Sequence, residues 1–429
     1  MKSISSLLKL ADDIRSSYWF VPGLTVLIVV SLWFGAIWVD RQPGLMSPAM
    51  QAWILDTAAV DASNILTAIM GATISVVSLT FSIVILVLTL ASGQFGSRLL
   101  YTFMRDTTTK LVLGIYSATF VFALLSLRVL SSDPGGFVPQ LTLQIAILLM
   151  LLSVFILVYF LHHISVSLQV TTVVNTVGRE LSAVIDQAFP ESKETQDDCG
   201  EFEKNAQIAG NQSGVLQAID LNELLSIAEK HDLHVRLCYR PGHFLIEGSC
   251  LLEVQEAAVD ESVEKLLLEC FAYGHRRTLV QDIEFAFQQL AEIAIRALST
   301  GVNDPNTAMI CIDQIGLGLA RIMRRAMPVE HLLDSAGECR VWADRPSFSG
   351  VVGAALNRVR QSAIGDVSVS IHFLKTLAML AELCESASQR EALLEQATAL
   401  YTACETERMV DMDQDDLAQA YAAVKSSCG

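Results

Sequence analysis

The chain has 429 residues, a mean hydropathy of +0.45 and a formal charge of −17, from 29 Lys and Arg against 46 Asp and Glu. Residues 1–189 carry nine of each sign, so the whole negative excess lies on residues 190–429. Such an acidic half excludes nucleic acid as a partner, because phosphates demand a basic footprint, and it is repelled by anionic lipid.

Four apolar spans follow in chain order: Trp19 to Val39, Asn64 to Ala91, Leu111 to Val129 and Leu141 to Leu161. An apolar helix of about 20 residues crosses the hydrocarbon core, so these predict four transmembrane helices and a lipid bilayer as the first partner. The first span lacks a small-residue cleavage site before Asp40 and is expected to stay as a helix. Positive residues close to membrane ends remain in the cytoplasm. Lys2, Lys9 and Arg15 precede the first span, Arg98, Arg105 and Lys110 fill the second loop, and the two other loops hold Arg41 alone. Both termini are therefore expected in the cytoplasm. All nine cysteines, Cys199 to Cys428, fall in the soluble half at irregular spacings, which in a reducing compartment reads as free thiols.

The second span carries the most physical information. Asn64, Thr67, Gly71, Ser75, Ser78, Ser82, Thr89 and Gly93 recur at helical steps and form one polar stripe. Ile65, Ile69, Val76, Leu79, Ile83, Leu86 and Leu90 make the opposite face, expected against lipid. Small and hydroxyl residues let helices approach and bond across a contact. The same residues in an oligomer would also line a wetted path, with Asn64, Thr67, Gly71, Ser75, Ser78, Ser82 and Thr89 as the lining candidates. Asp56 and Asp61 would stand at its external mouth, either gathering cations or complementing the helix N-terminus. No Asp, Glu, Lys or Arg lies at the middle of any span, and no span is broken by paired Gly or Pro, which weighs against an ion-coupled carrier.

The loop after the second span mixes Phe95, Leu99, Leu100, Phe103 and Met104 with Arg98 and Arg105, the pattern of a short amphipathic segment at the inner interface. His162 and His163 end the fourth span at the same level, where a pH-dependent charge is conceivable. No breaker follows, so the helix is expected to continue toward Phe189.

Residues 191–213 read as an acidic linker. Val215 to Ile219, Val235 to Tyr239, Phe244 to Ile246 and Leu251 to Val254 read as strands around a helix at Leu221 to Lys230. His231, His234, Cys238, His243 and Cys250 in this unit match no standard zinc spacing, and no metal is expected. Helices are expected over Glu261 to Tyr273, Asp282 to Leu298, Pro305 to Ala326, Ser349 to Ala363, Val367 to Ser386, Gln389 to Thr406 and Gln414 to Lys425. Asp304 and Pro305 supply an N-cap and N1 residue. Arg276, Arg277, Gln281, Asp282, Asn303, Asp304 and Asn306 could form a polar ligand pocket between helices, or serve only as caps and ion pairs.

Five runs, Ala91-Ser-Gly-Gln-Phe-Gly-Ser-Arg-Leu-Leu100, Tyr159-Phe-Leu-His-His-Ile164, Arg240-Pro-Gly-His-Phe244, Arg277-Thr-Leu-Val-Gln-Asp282 and Arg296-Ala-Leu-Ser-Thr-Gly-Val-Asn-Asp-Pro305, resemble those of a bacterial membrane family known as domain of unknown function 2254. The resemblance covers most of the chain. It implies an inner-membrane protein with an N-terminal membrane module and a cytoplasmic domain, and it supplies no activity or catalytic residues.

The organisation expected is a cytoplasmic N-terminus (1–16), a four-helix transmembrane module (17–165), a helical extension (166–190), the linker (191–213), a small α/β unit (214–258) and a mostly helical part (259–429). It is an α-helical membrane protein with a cytoplasmic α+β domain. No phosphate-binding loop, G-x-S-x-G, H-E-x-x-H or dinucleotide fingerprint occurs, so neither an enzyme nor a cofactor is expected. Two readings remain: a homo-oligomeric conduit for ions or small solutes regulated by the acidic domain, or a membrane-anchored sensor or scaffold whose soluble domain binds a ligand or protein partner.

Overall fold

The four apolar stretches become α1 (Phe20–Asp40), α2 (Ala59–Phe95), α3 (Thr107–Ser132) and α4 (Gln140–Ser167), each long and apolar enough to cross a membrane. The computed structural model describes residues 17, 19–42, 57–95, 106–132, 137–191, 199–200, 202–256 and 258–428. They form two units, Met1–Gln169 and Val170–Gly429. The N-terminal segment, Asp56, Arg98, Arg105, most of the amphipathic loop and part of the acidic linker lie outside the described residues.

In the first unit α3 packs against α1, α2 and α4. Two apolar clusters show an up-and-down bundle. One joins Trp33 and Ile37 late in α1, Ala62, Leu66 and Ile69 early in α2, Phe122 late in α3 and Leu143 early in α4. The other joins Val84, Val112, Tyr116 and Phe160 from the opposite ends of α2, α3 and α4. Polar links add specificity: Trp33 Nε1 donates to Ser126 Oγ (3.1 Å), and Thr119 and Ser153 hydroxyls lie 3.3 Å apart. A Cβ on Gly114 would overlap Thr25 Oγ1, so only glycine permits this approach of α1 and α3. Asp40, at the end of α1, accepts from Leu141 N, Thr142 N (both 2.9 Å) and Thr142 Oγ1 (2.6 Å). A buried carboxylate from a distant helix thus caps α4.

One expectation is corrected at the end of α4. The helix does not run on to Phe189; Leu168 caps it, and after Gln169 a new helix, α5 (Val170–Ala188), begins. No proline or glycine marks the interruption, so the sequence pattern alone does not reveal it. α5 is amphipathic, burying Val173, Val174, Val177, Leu181, Val184 and Ile185 at steps of one, three or four.

The second unit contains strands β1 (Ala206–Ala209), β2 (Gly214–Ile219), β3 (Val235–Leu237), β4 (Phe244–Leu245), β5 (Cys250–Val254), β6 (Phe271–Gly274), β7 (His331–Leu333) and β8 (Cys339–Trp342). They build a five-stranded sheet in the order β1-β5-β3-β8-β7 and a three-stranded one, β4-β2-β6, all antiparallel except β3 with β8. Helices α6 (Leu221–Lys230) and α7 (Glu261–Glu269) accompany the sheets. One core unites Leu216, Leu224, Val235, Leu252, Leu267, Phe271 and Val341.

The sheet part therefore exceeds the expected 214–258. β1 comes from the segment read as linker, β6 from the end of a segment read as helix, and β7 and β8 from beyond residue 330. Phe271 and Tyr273 bury alternate side chains when paired with β2, and this burial overrides local helix propensity. The helical part comprises α8 (Ile283–Ala297), α9 (Pro305–Met323), α10 (Phe348–Ala363), α11 (Val367–Ala381), α12 (Ala387–Cys404) and α13 (Asp411–Cys428). Their starts follow from local chemistry: Asp282, Asp304, Ser347, Asp366 and Ser386 each cap with a side-chain oxygen, Ser386 and Gln389 forming a capping box. α5 packs on α8 and α9.

Candidate functional site

All seven lining candidates on α2, Asn64, Thr67, Gly71, Ser75, Ser78, Ser82 and Thr89, are exposed on this chain. A Cβ at Gly71 would meet nothing within 4 Å. Four of the hydroxyls donate to carbonyls one turn back: Thr67 to Ser63, Ser75 to Gly71, Ser82 to Ser78 and Thr89 to Ile85, at 2.8–2.9 Å. Each keeps its lone pairs available to a neighbour, an ion or water. The bundle is held by another face, where Ala62, Leu66, Ile69, Thr73, Thr80, Val84, Val87 and Ala91 are buried. The expected lipid face is thus split. Ile69 is buried and Ile65, Val76 and Ile83 half-buried, while Leu79, Leu86 and Leu90 are exposed. A 3.6-residue period finds stripes, but it does not say which of two non-polar stripes meets the bundle. Asp61 is exposed in the first turn of α2.

At the other end of the module His163 lies 2.9 Å from Asp106 Oδ2 and stacks on Tyr159, with ring centroids 6.0 Å apart. Asp106 also caps α3, accepting from Thr108 N and Thr109 N at 3.1 Å. His162 is exposed. Asp106 did not figure among the expected functional residues; its signal was an aspartate directly before three threonines that open a helix.

The expected polar pocket divides into separate places. Arg277 grips Asp282 through Nε and Nη2 (2.6 and 2.7 Å), donates Nη1 to Gln288 (2.7 Å) and covers Phe285. Asp282 is buried and also caps α8 at Phe285 N (2.9 Å). Gln281 holds both backbone groups of Ile219 at the end of β2, and the Arg276 carbonyl accepts from Gln217. Asn303, at φ +50, and Asp304, the cap of α9, instead follow the C-terminal end of α8. The 15 residues of α8 put about 22 Å between the two groups, so they cannot share one ligand.

What meets Arg277 and Asp282 is the turn Arg240-Pro-Gly242. Gly242 has φ +101, and a Cβ there would overlap Asp282 Oδ2 and lie 3.0 Å from Arg277 Nη2. Arg240 reaches both oxygens of Asp344 (3.2 and 3.0 Å) and Glu284 (2.6 Å). These carboxylates raise the Arg240 guanidinium above its ordinary range although burial opposes it. Sheet turn, β8 end and α8 are thereby clamped together, and both arginines have their charge met. Two of the runs that carry the family resemblance coincide with this clamp. Glu284 and Asp344 are its members that sequence reasoning missed, being 44 and 104 residues from Arg240.

Of the histidines and cysteines in the sheet part, Cys238 and Cys250 come together, with Glu253 beside them, ligand atoms all within 4.8 Å. His234 turns away to Glu256 (2.9 Å). Glu253 is engaged by Lys204 (2.7 Å) and Arg236, so its two oxygens already face cations. Burial works against ionisation of Glu253, yet those two cations hold its carboxyl below the usual range. The expectation of nine free thiols is corrected: Cys199 and Cys339 form a disulfide across 140 residues, a separation that hides the pair from the sequence.

Comparison with known proteins gives one family. Its model, described as a predicted membrane protein (DUF2254), matches residues 15–379. Two uncharacterized proteins, one from Mycobacterium bovis and one from Mycobacterium tuberculosis strain H37Rv, are each 27% identical over 415 residues, 94% of this chain and 79% of theirs. No solved structure matches the chain.

Proposed function

The chain belongs to the DUF2254 family of predicted membrane proteins, and from that premise we propose that it is a homo-oligomeric conduit for ions or small solutes in the bacterial inner membrane. The observation that carries the reading is the exposed polar face of α2, Asn64 to Ser82 and, past the exposed Ile85 and Leu86, Thr89, on a helix whose packing face is elsewhere. In hydrocarbon such a face gains most by meeting copies of itself or water. Asp61, and Asp56 outside the described residues, would stand at one mouth, with Arg98, Arg105, His162 and His163 toward the other. The acidic second unit would regulate opening from the cytoplasm, with no catalytic role.

The distribution of Lys and Arg supports cytoplasmic termini. The Cys199–Cys339 disulfide pulls the other way, since such bonds are rare in the cytosol. Labelling of Cys428 by a membrane-impermeant maleimide in intact cells decides: protection supports the orientation, modification reverses it.

A second reading, a membrane-anchored scaffold or sensor without transport, is favoured by the back-bonded hydroxyls of α2, which are already satisfied for a dry helix contact. Ion flux through the full chain in liposomes separates the two. Selective flux that changes with Ser78→Leu supports the conduit; silence across ions and pH supports the scaffold.

A further inference from the structure

Seven cysteines are free among the described residues. Cys270 and Cys384 bond to helix carbonyls and Cys404 to the Ser370 hydroxyl, as buried thiols commonly do. Cys238 and Cys250 are different. Their sulfurs lie 3.4 Å apart, Cys238 directly after β3 and Cys250 at the start of the antiparallel β5, and both side chains are half-buried. The backbone brings them close: Leu237 pairs with Leu252, Cys238 N donates to Leu251 O (3.1 Å), and the β1–β5 register shifts where Ala209 pairs with Cys250. A disulfide needs about 2.05 Å between sulfurs, so the two have a little over ~1 Å to close.

We propose that Cys238 and Cys250 are a redox modification site that exchanges with external disulfides and closes into a second intramolecular disulfide. One of the two cysteines, as its thiolate, attacks one sulfur of a disulfide R–S–S–R; the S–S bond breaks, one RS⁻ leaves and takes up the proton which that cysteine gave to solvent, and the cysteine is joined to R through a mixed disulfide. The sulfur of the other cysteine then attacks the first cysteine's sulfur, the second RS⁻ leaves, and the proton of the second thiol goes to it. Two electrons pass from the protein dithiol to the external disulfide, giving two RSH. Burial, and then the hydrogen bond with Cys250, push the Cys238 thiol up to about 12. The new bond would staple β3 to β5 two residues before Arg240, next to the clamp that joins sheet to helices.

A thiophilic metal is the competing occupant, but Glu253 is not an open third donor because Lys204 and Arg236 hold it.

The test uses the full chain in detergent, equilibrated across ratios of reduced to oxidised glutathione, quenched with N-ethylmaleimide and mapped by peptide mass spectrometry. The expected result is loss of alkylation at Cys238 and Cys250 together, with a linked peptide two hydrogens lighter. In Cys238→Ser and in Cys250→Ser the reaction should stop at a glutathione adduct on the remaining thiol. Full alkylation of both thiols at the most oxidising ratio overturns the proposal. So does an adduct without closure in the wild-type chain, or retention of stoichiometric zinc by it. The wild-type map stands even if a variant fails to fold.

Discussion

Replacing Gly242 with alanine should damage the second unit far more than the loss of one glycine suggests. Its backbone at φ +101 costs a residue with a Cβ about 1–3 kcal/mol. The new methyl would also overlap Asp282 Oδ2, forcing apart the Arg277–Asp282 pair and weakening the cap of α8. Loss of a cap adds about 1 kcal/mol, and a half-buried bidentate pair a similar amount. The sum is on the order of 3–5 kcal/mol, or roughly 10 °C for a unit of this size. Gly248→Ala is the control: it has φ +88 but open space around the Cβ, so it should lose only the backbone term. The assay is a thermal ramp of the full chain in detergent with a fluorogenic thiol reagent, which reports exposure of the buried Cys311. If Gly242→Ala melts within about 2 °C of wild type, or no lower than Gly248→Ala, the clamp does not carry the load assigned to it.

Asp40→Ala should expose the first turn of α4 to the loss of three hydrogen bonds and cost about 1–3 kcal/mol, read as lower resistance of the membrane module to denaturing detergent. Asp106→Asn should release His163 from its partner and shift the ring resonances of that histidine by NMR, while leaving those of His372, paired with Asp313, unchanged. Glu253 is a depressed carboxyl, so its contribution is present above the unfolded glutamate pKa of about 4.3 and is lost as pH falls through the lower folded value. The melt of the second unit should therefore decline below about pH 4.3, and Lys204→Met should flatten part of that decline. An unchanged slope in the variant would remove Lys204 from the account.

What the sequence revealed and what it hid follow from range. Transmembrane spans and helix caps are local: an apolar run, or Asp304 before Pro305, carries its own signal. The five-stranded sheet is not local, because β8 joins β3 across about a hundred residues and four-residue strands such as β6 have too few alternations to outweigh a helical pattern. The clamp is invisible for the same reason, since Arg240 finds Glu284 and Asp344 only after the sheet and α8 have assembled. The split of the polar pocket was within reach. The helix expected from Asp282 to Leu298 already separates its two ends by more than about 20 Å, and that length alone divides the residues as the structure does. The polar stripe of α2 was legible throughout, because a helix of 37 residues repeats its period often enough to define a face.

Flux through the full chain reconstituted in liposomes tests the conduit most directly, comparing wild type with Ser78→Leu and with Leu79→Ala as an exposed apolar control on the same helix. The account predicts ion-selective flux that falls at least several-fold in Ser78→Leu and is retained in Leu79→Ala. Equal flux in Ser78→Leu with intact assembly, or no flux from any form, would contradict it.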